Sequence, residues 1–423
     1  MSILKSTKLS SFFIWYSSIA ILIFSALSLI MPNGYSYGPI LLFIGSLSIL
    51  VVRPSFHLIK EDIYIIGALS LYFIVNIFLN YLHHLPLSSY DKPLRYLLGI
   101  PVYFFLIAYP PKQIFFWSGL VVGAIGACLL AMHQRFFEGG NWWRPGGFIN
   151  PIQFGDIALL LGILLLSGIQ YLPIRTKHNC LMTIYLFAAA MGITASFLSW
   201  SRGGWLAIPI VGLVFLKRCN FSLNKKSLFY LIIILIFSII LIHFLPDDNF
   251  LKARFVQTES EITDFYRGKT DVNSVSTRFK MWHVGISAFK DAPFVGWGDL
   301  ASIKENYSAY WKDLNELNNY NHLHNEYIDE LAKRGLIGFF SLMVLYFIPL
   351  MFFLRMSKYS VHNMALFSTA GIVLILSCMM FGLTQVFMIH NSGATIFVFY
   401  LVIVASYCRN IYYVGLKRIS NSM

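Results

Sequence analysis

The stretch from Asn321 to Phe340 reads NHLHNEYIDELAKRGLIGFF and sets His322 and His324 directly before an acidic helical turn. Asp329 and Glu330 precede Lys333 and Arg334 by four residues, the favourable order for ion pairs along one helical face. A helix is therefore expected to start near Asn325. His324 then lies at or just before the first turn, where exposed backbone N–H groups and the positive end of the helix dipole favour an anion and keep an imidazole neutral. A neutral imidazole can accept a proton, and His322 and Asn325 flank it as candidate substrate contacts. The plain alternative is a capping or surface histidine.

Three arginines sit in comparable settings. Arg144 lies in HQRFFEGGNWWRPGGFINPIQFG, from His133 to Gly155. There Trp142 and Trp143 suit a membrane interface and offer a stacking face for sugar rings, and Pro and Gly break the helix on both sides. Arg202, in SFLSWSRGGWLAIP, is the only charged residue between His178 and Lys217, and its two glycines allow another backbone or a ligand to come close. Arg278 opens TRFKMWHVGISAFKDAPFVGWG with Ser276 and Thr277 as caps. In that segment Phe279, Trp282, Val284, Ile286 and Phe289 predict an amphipathic helix lying on the membrane. A guanidinium binds phosphate oxygens through a planar fork and never loses its charge. Three arginines and a histidine thus make a site for an amphiphile with an anionic head. The chain has no Gly-rich phosphate loop, no Asp-x-Asp and no Cys/His metal spacing. No metal or other cofactor is expected, and the driving energy would come from the substrate, as when a lipid diphosphate departs and arginines neutralise it.

Other polar residues read as structural. Asp156 is expected as a cap or in a structural pair, since an acid inside a span needs a partner. Gln385, His390 and Asn391 are expected to be structural, and the loop HHLPLSSYDKPLR is a solvated one in which Lys92 and Arg95 could help hold a phosphate.

The elements that must position these residues are membrane helices. The chain is 57% hydrophobic and 12% charged, with 38 Phe and 24 Tyr, and its mean hydropathy is +0.66. That excludes an ordinary soluble enzyme. Apolar runs recur near 11–31, 37–52, 63–81, 94–109, 113–132, 152–172, 180–199, 203–217, 228–245, 335–354, 364–389 and 393–408, each close to the length of about 20 residues that crosses a bilayer. The expectation is an all-α polytopic membrane protein of about twelve transmembrane helices with a long, mostly helical outer loop. The first run, behind Lys5 and Lys8, reads as an uncleaved anchor. Residues 1–245 would hold helices one to nine, 246–334 the loop with the catalytic residues, and 335–423 the last three helices and a tail. The five cysteines fall in or beside the spans, so neither a disulfide framework nor a zinc site is supported.

The net charge of +13 is not a nucleic-acid signal, because of how it is distributed. Short loops on the side of the termini hold 16 of the 32 basic residues and those on the other side hold 5, which puts both termini in the cytoplasm and the histidine cluster outside. The partners expected are membrane lipids, with no nucleic acid.

The HLHNE block running to GLIG at Gly338, the SRGGW turn around Arg202, the STRFKMW segment around Arg278 and the twelve-span layout with a late outer loop resemble the bacterial O-antigen ligases, within the O-antigen ligase/polymerase superfamily. The resemblance implies a GT-C type glycosyltransferase. Such an enzyme moves O-antigen polysaccharide from undecaprenyl diphosphate to the lipid A-core oligosaccharide during lipopolysaccharide biosynthesis. It would act at the periplasmic face of the bacterial inner membrane, inverting and without metal. By the same resemblance His324 matches the catalytic base, and Arg202 and Arg278 match the arginines on the diphosphate. Arg144, from the RPGGFINP loop, is added from the residues alone. An O-antigen polymerase or a protein O-oligosaccharyltransferase would share this donor and differ in acceptor. A transporter of similar span count would need charges at the bilayer midplane and an internal repeat, and the sequence displays neither.

Overall fold

The computed structural model describes residues 2–54, 57–138, 144–169, 176–218, 260, 263, 274–308, 321–359 and 362–422. They are helical, with no strand among them. The helices are α1 (Ser2–Leu27), α2 (Gly34–Val52), α3 (Asp62–Leu82), α4 (Asp91–Ala108), α5 (Gln113–His133), α6 (Pro151–Ile169), α7 (Thr176–Leu198), α8 (Ala207–Arg218), α9 (Ser274–Asp291), α10 (Leu300–Asn306), α11 (Glu326–Met356), α12 (His362–Phe381) and α13 (Asn391–Ser422). Nine of the described helices, α1 to α3, α5 to α7 and α11 to α13, are long and apolar enough to cross a membrane. The protein is an all-α, multi-pass membrane protein. Two further expected spans appear as α4, whose first turns carry Asp91, Lys92 and Arg95, and as the short α8. The expected span at 228–245 lies outside the described residues, as do Trp142, Trp143 and much of the loop from 246 onward.

Burial sorts these helices into two shells. α6, α12 and α13 are apolar on nearly every side and enclosed, as a helix in a core must be. α2, by contrast, turns Ile40, Ile44, Leu47, Leu50 and Val51 outward, the pattern of a helix that faces lipid. At the end away from the histidines, buried Asp62 accepts from Tyr103 Oη at 2.9 Å and lies 3.4 Å from Arg409 Nε, tying α3, α4 and α13 together.

Two elements depart from the sequence expectation. The apolar run at 364–389 does not stay helical to its end: α12 stops at Phe381, and 382–390 turns across the bundle with one short 3-10 turn, Phe387–Ile389. The cause is the start of α11, which uses that backbone. Glu326 N donates to Gly382 O at 2.8 Å, Asn325 Nδ2 donates to Leu383 O at 3.0 Å, and Glu326 Oε1 accepts from Met388 N at 2.9 Å. Irregular backbone at membrane depth survives only when its polar groups are paired in this way.

The second departure is a break in α11 at Gly335, with φ 60° and ψ −160°, a conformation open to glycine and little else. The segment 292–298 docks into the gap. Ala332 O and Lys333 O accept from Trp297 N and Gly298 N at 3.1 and 2.8 Å, while Leu336 N and Ile337 N donate to Pro293 O and Phe294 O at 2.8 and 3.1 Å. A polar piece, 326–334, therefore sits above a membrane piece, 336–356, whose rise of about 31 Å at 1.5 Å per residue matches a bilayer core. A Cβ at Gly335 would come within 2.3 Å of the Phe294 carbonyl carbon. Gly335→Ala is expected to cost about 1–3 kcal/mol from the backbone conformation alone. Thermal unfolding in detergent measures it; an unchanged midpoint would mean that the break tolerates a side chain.

Candidate functional site

The histidine loop, 321–325, is held from four directions. Asn325 caps α11: its Oδ1 accepts from Tyr327 N and Ile328 N, both at 3.1 Å. One turn on, Asp329 and Lys333 form a nearly buried pair at 2.9 Å. They are bound to the loop as well as to each other, since Asp329 Oδ1 accepts from Leu323 N at 2.9 Å and Lys333 Nζ donates to Asn321 O at 3.1 Å. From the third side, Trp282 Nε1 on α9 donates to Leu323 O at 3.0 Å. The fourth is the 382–390 turn already described. The ion pairs expected from the four-residue spacing are present, including Glu330 with Arg334 at 2.8 Å.

α9 corrects its expected placement. It begins at Ser274, so Arg278 sits a turn inside the helix instead of opening it, and Ser276 and Thr277 are buried within it. Its seating face is Met281, Val284 and Ala288, packed on Leu323 and Ala332 and on Leu300 and Ile303 of α10, while Ile286 stays exposed. The spacing of three and four residues gives this face α11 as its partner.

Within this frame three imidazoles gather. His322 Nδ1 accepts from His324 N at 3.3 Å, the two rings lie 4.3 Å apart, and the His390 ring is 5.4 Å from that of His322. Gln385 Nε2 is 3.1 Å from His390 Nε2, and its carboxamide also reaches His324. Burial pushes the His324 pKa down to about 4, and the charge of Arg278 pushes the same way. Burial, aided by Lys92, brings His390 to about 4, and burial foremost brings His322 to about 2. All three are neutral near pH 7. His324 itself has φ 53°, a left-handed backbone uncommon outside glycine and of the kind that collects at functional sites.

The arginines approach from the other side. Arg144 Nε donates to Ser199 O at 3.2 Å, and burial followed by the nearby charge of Arg202 lowers its pKa, though a guanidinium so placed stays charged. Arg202 begins the 3-10 turn Arg202–Leu206. Asp156 accepts from Ser201 Oγ at 2.9 Å and lies within electrostatic reach of Arg278. The two glycines of the turn make these approaches possible: a Cβ on Gly203 would come within 1.9 Å of Thr384 Oγ1, and one on Gly204 within 2.2 Å of Asp156 Oδ1. Arg144 and Arg202 are thus neighbours, and Arg278 neighbours His324. Asn325 is near His324, with its Oδ1 taken up by the cap and its Nδ2 donating to Leu383 O. Gln385, His390 and Asp156, expected to be only structural, belong to the same cluster, and Arg135 stacks over Trp200 at 4.5 Å beside it. The polar residues interrupting the apolar run at 364–389 were the available signal. The assembly offers a neutral proton acceptor beside guanidinium groups whose chemistry suits an anion.

A helical membrane bundle with a basic, histidine-bearing cluster at one end is the class that fold and site define. Residues 185–343 match the family model described as O-Antigen ligase, a region that takes in Arg202, Arg278, His322, His324 and Asn325 but stops short of Arg144. A protein of Haemophilus influenzae described as uncharacterized is 27% identical over 371 residues, covering 86% of this chain and 91% of that protein. An Escherichia coli protein described as an O-antigen ligase is 27% identical over 197 residues, covering 45% of this chain and 44% of that protein. Over residues 185–343 the chain is thus similar to the O-antigen ligase family.

Removing one partner of a buried pair costs about 3–5 kcal/mol, and Asp329 also carries the loop. Asp329→Ala is expected to lower the unfolding midpoint and to expose His324 to a histidine-directed acylating reagent that labels the parent protein slowly. Equal labelling rates would mean that the pair does not fix the loop.

Proposed function

We propose that this protein is an inverting, metal-independent O-antigen ligase, transferring a glycan from undecaprenyl diphosphate to a sugar of the lipid A core. What supports the reading most is the placement of His324, half-buried and neutral beside Arg278 on a loop braced by Asp329 and Lys333. His324 takes the proton of the acceptor hydroxyl as that oxygen attacks the anomeric carbon from the face opposite the leaving group. The bond from that carbon to the phosphate oxygen breaks, and undecaprenyl diphosphate leaves with the electron pair. Arg202 and Arg278 neutralise the charge it gains, with Arg144 next to Arg202 as a further contact. His322 and Asn325 orient the base through its backbone and through the cap of α11.

In this reading the site faces the periplasm, the protein resides in the bacterial inner membrane and both termini are cytoplasmic, in line with the excess of lysine and arginine in the loops at the end away from the site. Residues 1–245 and 335–423 form the membrane body, and 246–334 supplies Arg278 and the histidine loop. An O-antigen polymerase or a protein O-oligosaccharyltransferase would use the same donor chemistry with another acceptor.

General-base help is worth about 10²–10⁴ in rate. His324→Ala should therefore leave folded protein that has lost transfer by that factor. The assay is purified protein in detergent with undecaprenyl-diphosphate glycan, lipid A core and EDTA, the products being resolved on a gel. A ladder on lipid A from the parent protein and none from the variant is expected. Lengthening of the donor glycan on its own lipid would replace the ligase with a polymerase. Because protonation removes the base and His324 titrates at about 4 in the empty site, kcat/KM for the donor, which reports the free protein, should hold level as pH falls through the ordinary imidazole range of about 6.5 and drop only near 4. A midpoint close to 6.5 would show that another group is the base.

A further inference from the structure

A polar cavity of about 180 Å³ opens between α3, α4 and the upper piece of α11, lined among others by Tyr72, Asn76, Lys92, Tyr96, Glu330 and Arg334. Three of these side chains carry a buried polar atom with no hydrogen-bond partner: Tyr96 Oη, Glu330 Oε1 and Arg334 Nε. Leaving a buried donor or acceptor unmet is costly, and three in one cavity of a folded protein call for a reason. Tyr96 is 2% and Glu330 4% exposed, so neither meets bulk water. Burying such groups at the end of a membrane bundle is a further expense that function commonly explains.

The chemistry of the lining is mixed. It pairs an unmet carboxylate oxygen with an unmet guanidinium N–H, adds a phenol that can donate or accept, and brings in the ammonium of Lys92 and the carboxamide of Asn76. The rings of Tyr72 and Tyr96 lie edge to face at 4.6 Å in the same wall. An inorganic anion would use the cations and leave the carboxylate unmet, and an apolar group would satisfy none of them. A ring bearing several hydroxyls, each both donor and acceptor, matches a lining of this mixed kind, with its C–H face against the tyrosines. At about 30 Å³ for each water in the liquid, the cavity holds about six waters, the space of a single sugar ring.

Position distinguishes which sugar. Asp329 and Lys333 line the cavity and on their other side carry Leu323 N and Asn321 O of the histidine loop. Arg144, Arg202 and Arg278 are not among its described lining residues. The lining includes Asn321 of the histidine loop, so the cavity borders that loop. We infer that this cavity is the subsite for the acceptor monosaccharide, its hydroxyls held by Glu330, Arg334 and Tyr96 while the diphosphate donor occupies the arginine side, an assignment that rests on the transferase reading above.

The test reads binding apart from turnover. Full-length protein in detergent is titrated with the oligosaccharide released from lipid A core, followed by saturation-transfer NMR, for the parent, Tyr96→Phe and Lys92→Gln. Tyr96→Phe keeps the ring and its packing and removes one hydroxyl, so it should weaken oligosaccharide binding about three- to tenfold and raise the acceptor KM by a similar factor, while the donor KM holds. Lys92→Gln, at the cavity rim, provides a second reading should the first variant unfold. A parent that does not bind the oligosaccharide, or two variants that bind it as the parent does, overturns the subsite, and a rise in donor KM in place of acceptor KM assigns the cavity to the donor glycan and overturns the acceptor assignment. If the parent binds the oligosaccharide and the variants bind it weakly, yet the parent transfers nothing to lipid A core, the subsite stands and the ligase reading falls.

Discussion

The pair formed by Asp329 and Lys333 is the interaction on which this end of the molecule depends. Two opposite charges 2.9 Å apart and almost wholly buried repay their desolvation only when their remaining hydrogen-bonding capacity is used. Here it is used on the loop: one carboxylate oxygen takes Leu323 N, and the ammonium gives to Asn321 O. The same four atoms that make the pair tolerable thereby fix the backbone on both sides of His322. Position and electrostatics are consequently coupled, because a loop held this close to the bundle takes its imidazoles largely out of water, and that desolvation is what keeps them neutral.

That bracing needs a platform whose height is set independently of the membrane helix below it. The break at Gly335 provides one. An uninterrupted α11 would carry residues 326–334 along the axis of the span and place Asp329 and Lys333 wherever the membrane piece aimed them. With the helix interrupted and 292–298 hydrogen-bonded into the gap, the upper piece is oriented by the outer segments that touch it, α9 and α10. The segment that supplies Arg278 and the piece that supplies the histidine loop thus share one small apolar core, Met281, Val284 and Ala288 against Leu323 and Ala332. This satellite core makes the distance between guanidinium and imidazole a packing property.

The local half of this design is legible in the sequence. Asn325 as a cap and the four-residue spacing of the ion pairs are contacts within one or two turns, and they stand where the spacing puts them. The spans follow from apolar length for the same reason. What could not be read are choices between partners. Phe279, Trp282, Val284, Ile286 and Phe289 suggested one apolar stripe, but α9 meets α11 through Met281, Val284 and Ala288, a face that only the presence of α11 reveals. The run at 364–389 looked like a longer span because hydropathy does not register that Glu326 would compete for its backbone. The proximity of Arg144 to Arg202, and of Gln385 and His390 to His324, joins residues far apart in the chain, for which no local rule exists.

In the proposed transfer, a base that titrates at about 4 in the free protein is a weak one, and general-base efficiency is best when the pKa lies near the working pH. The two causes of the shift resolve the difficulty, because they respond differently to the donor. Burial disfavours imidazolium in any state of the site. The opposition from Arg278, by contrast, is a charge effect, and a diphosphate seated on the guanidinium groups would cancel it and add negative charge of its own, which favours imidazolium. The imidazole would then be least basic while the site is empty and more basic once the donor anion is in place. Solvent protons would not consume the base before the donor binds, and the group that takes the acceptor's proton would gain its strength from the same anion whose departure drives the reaction.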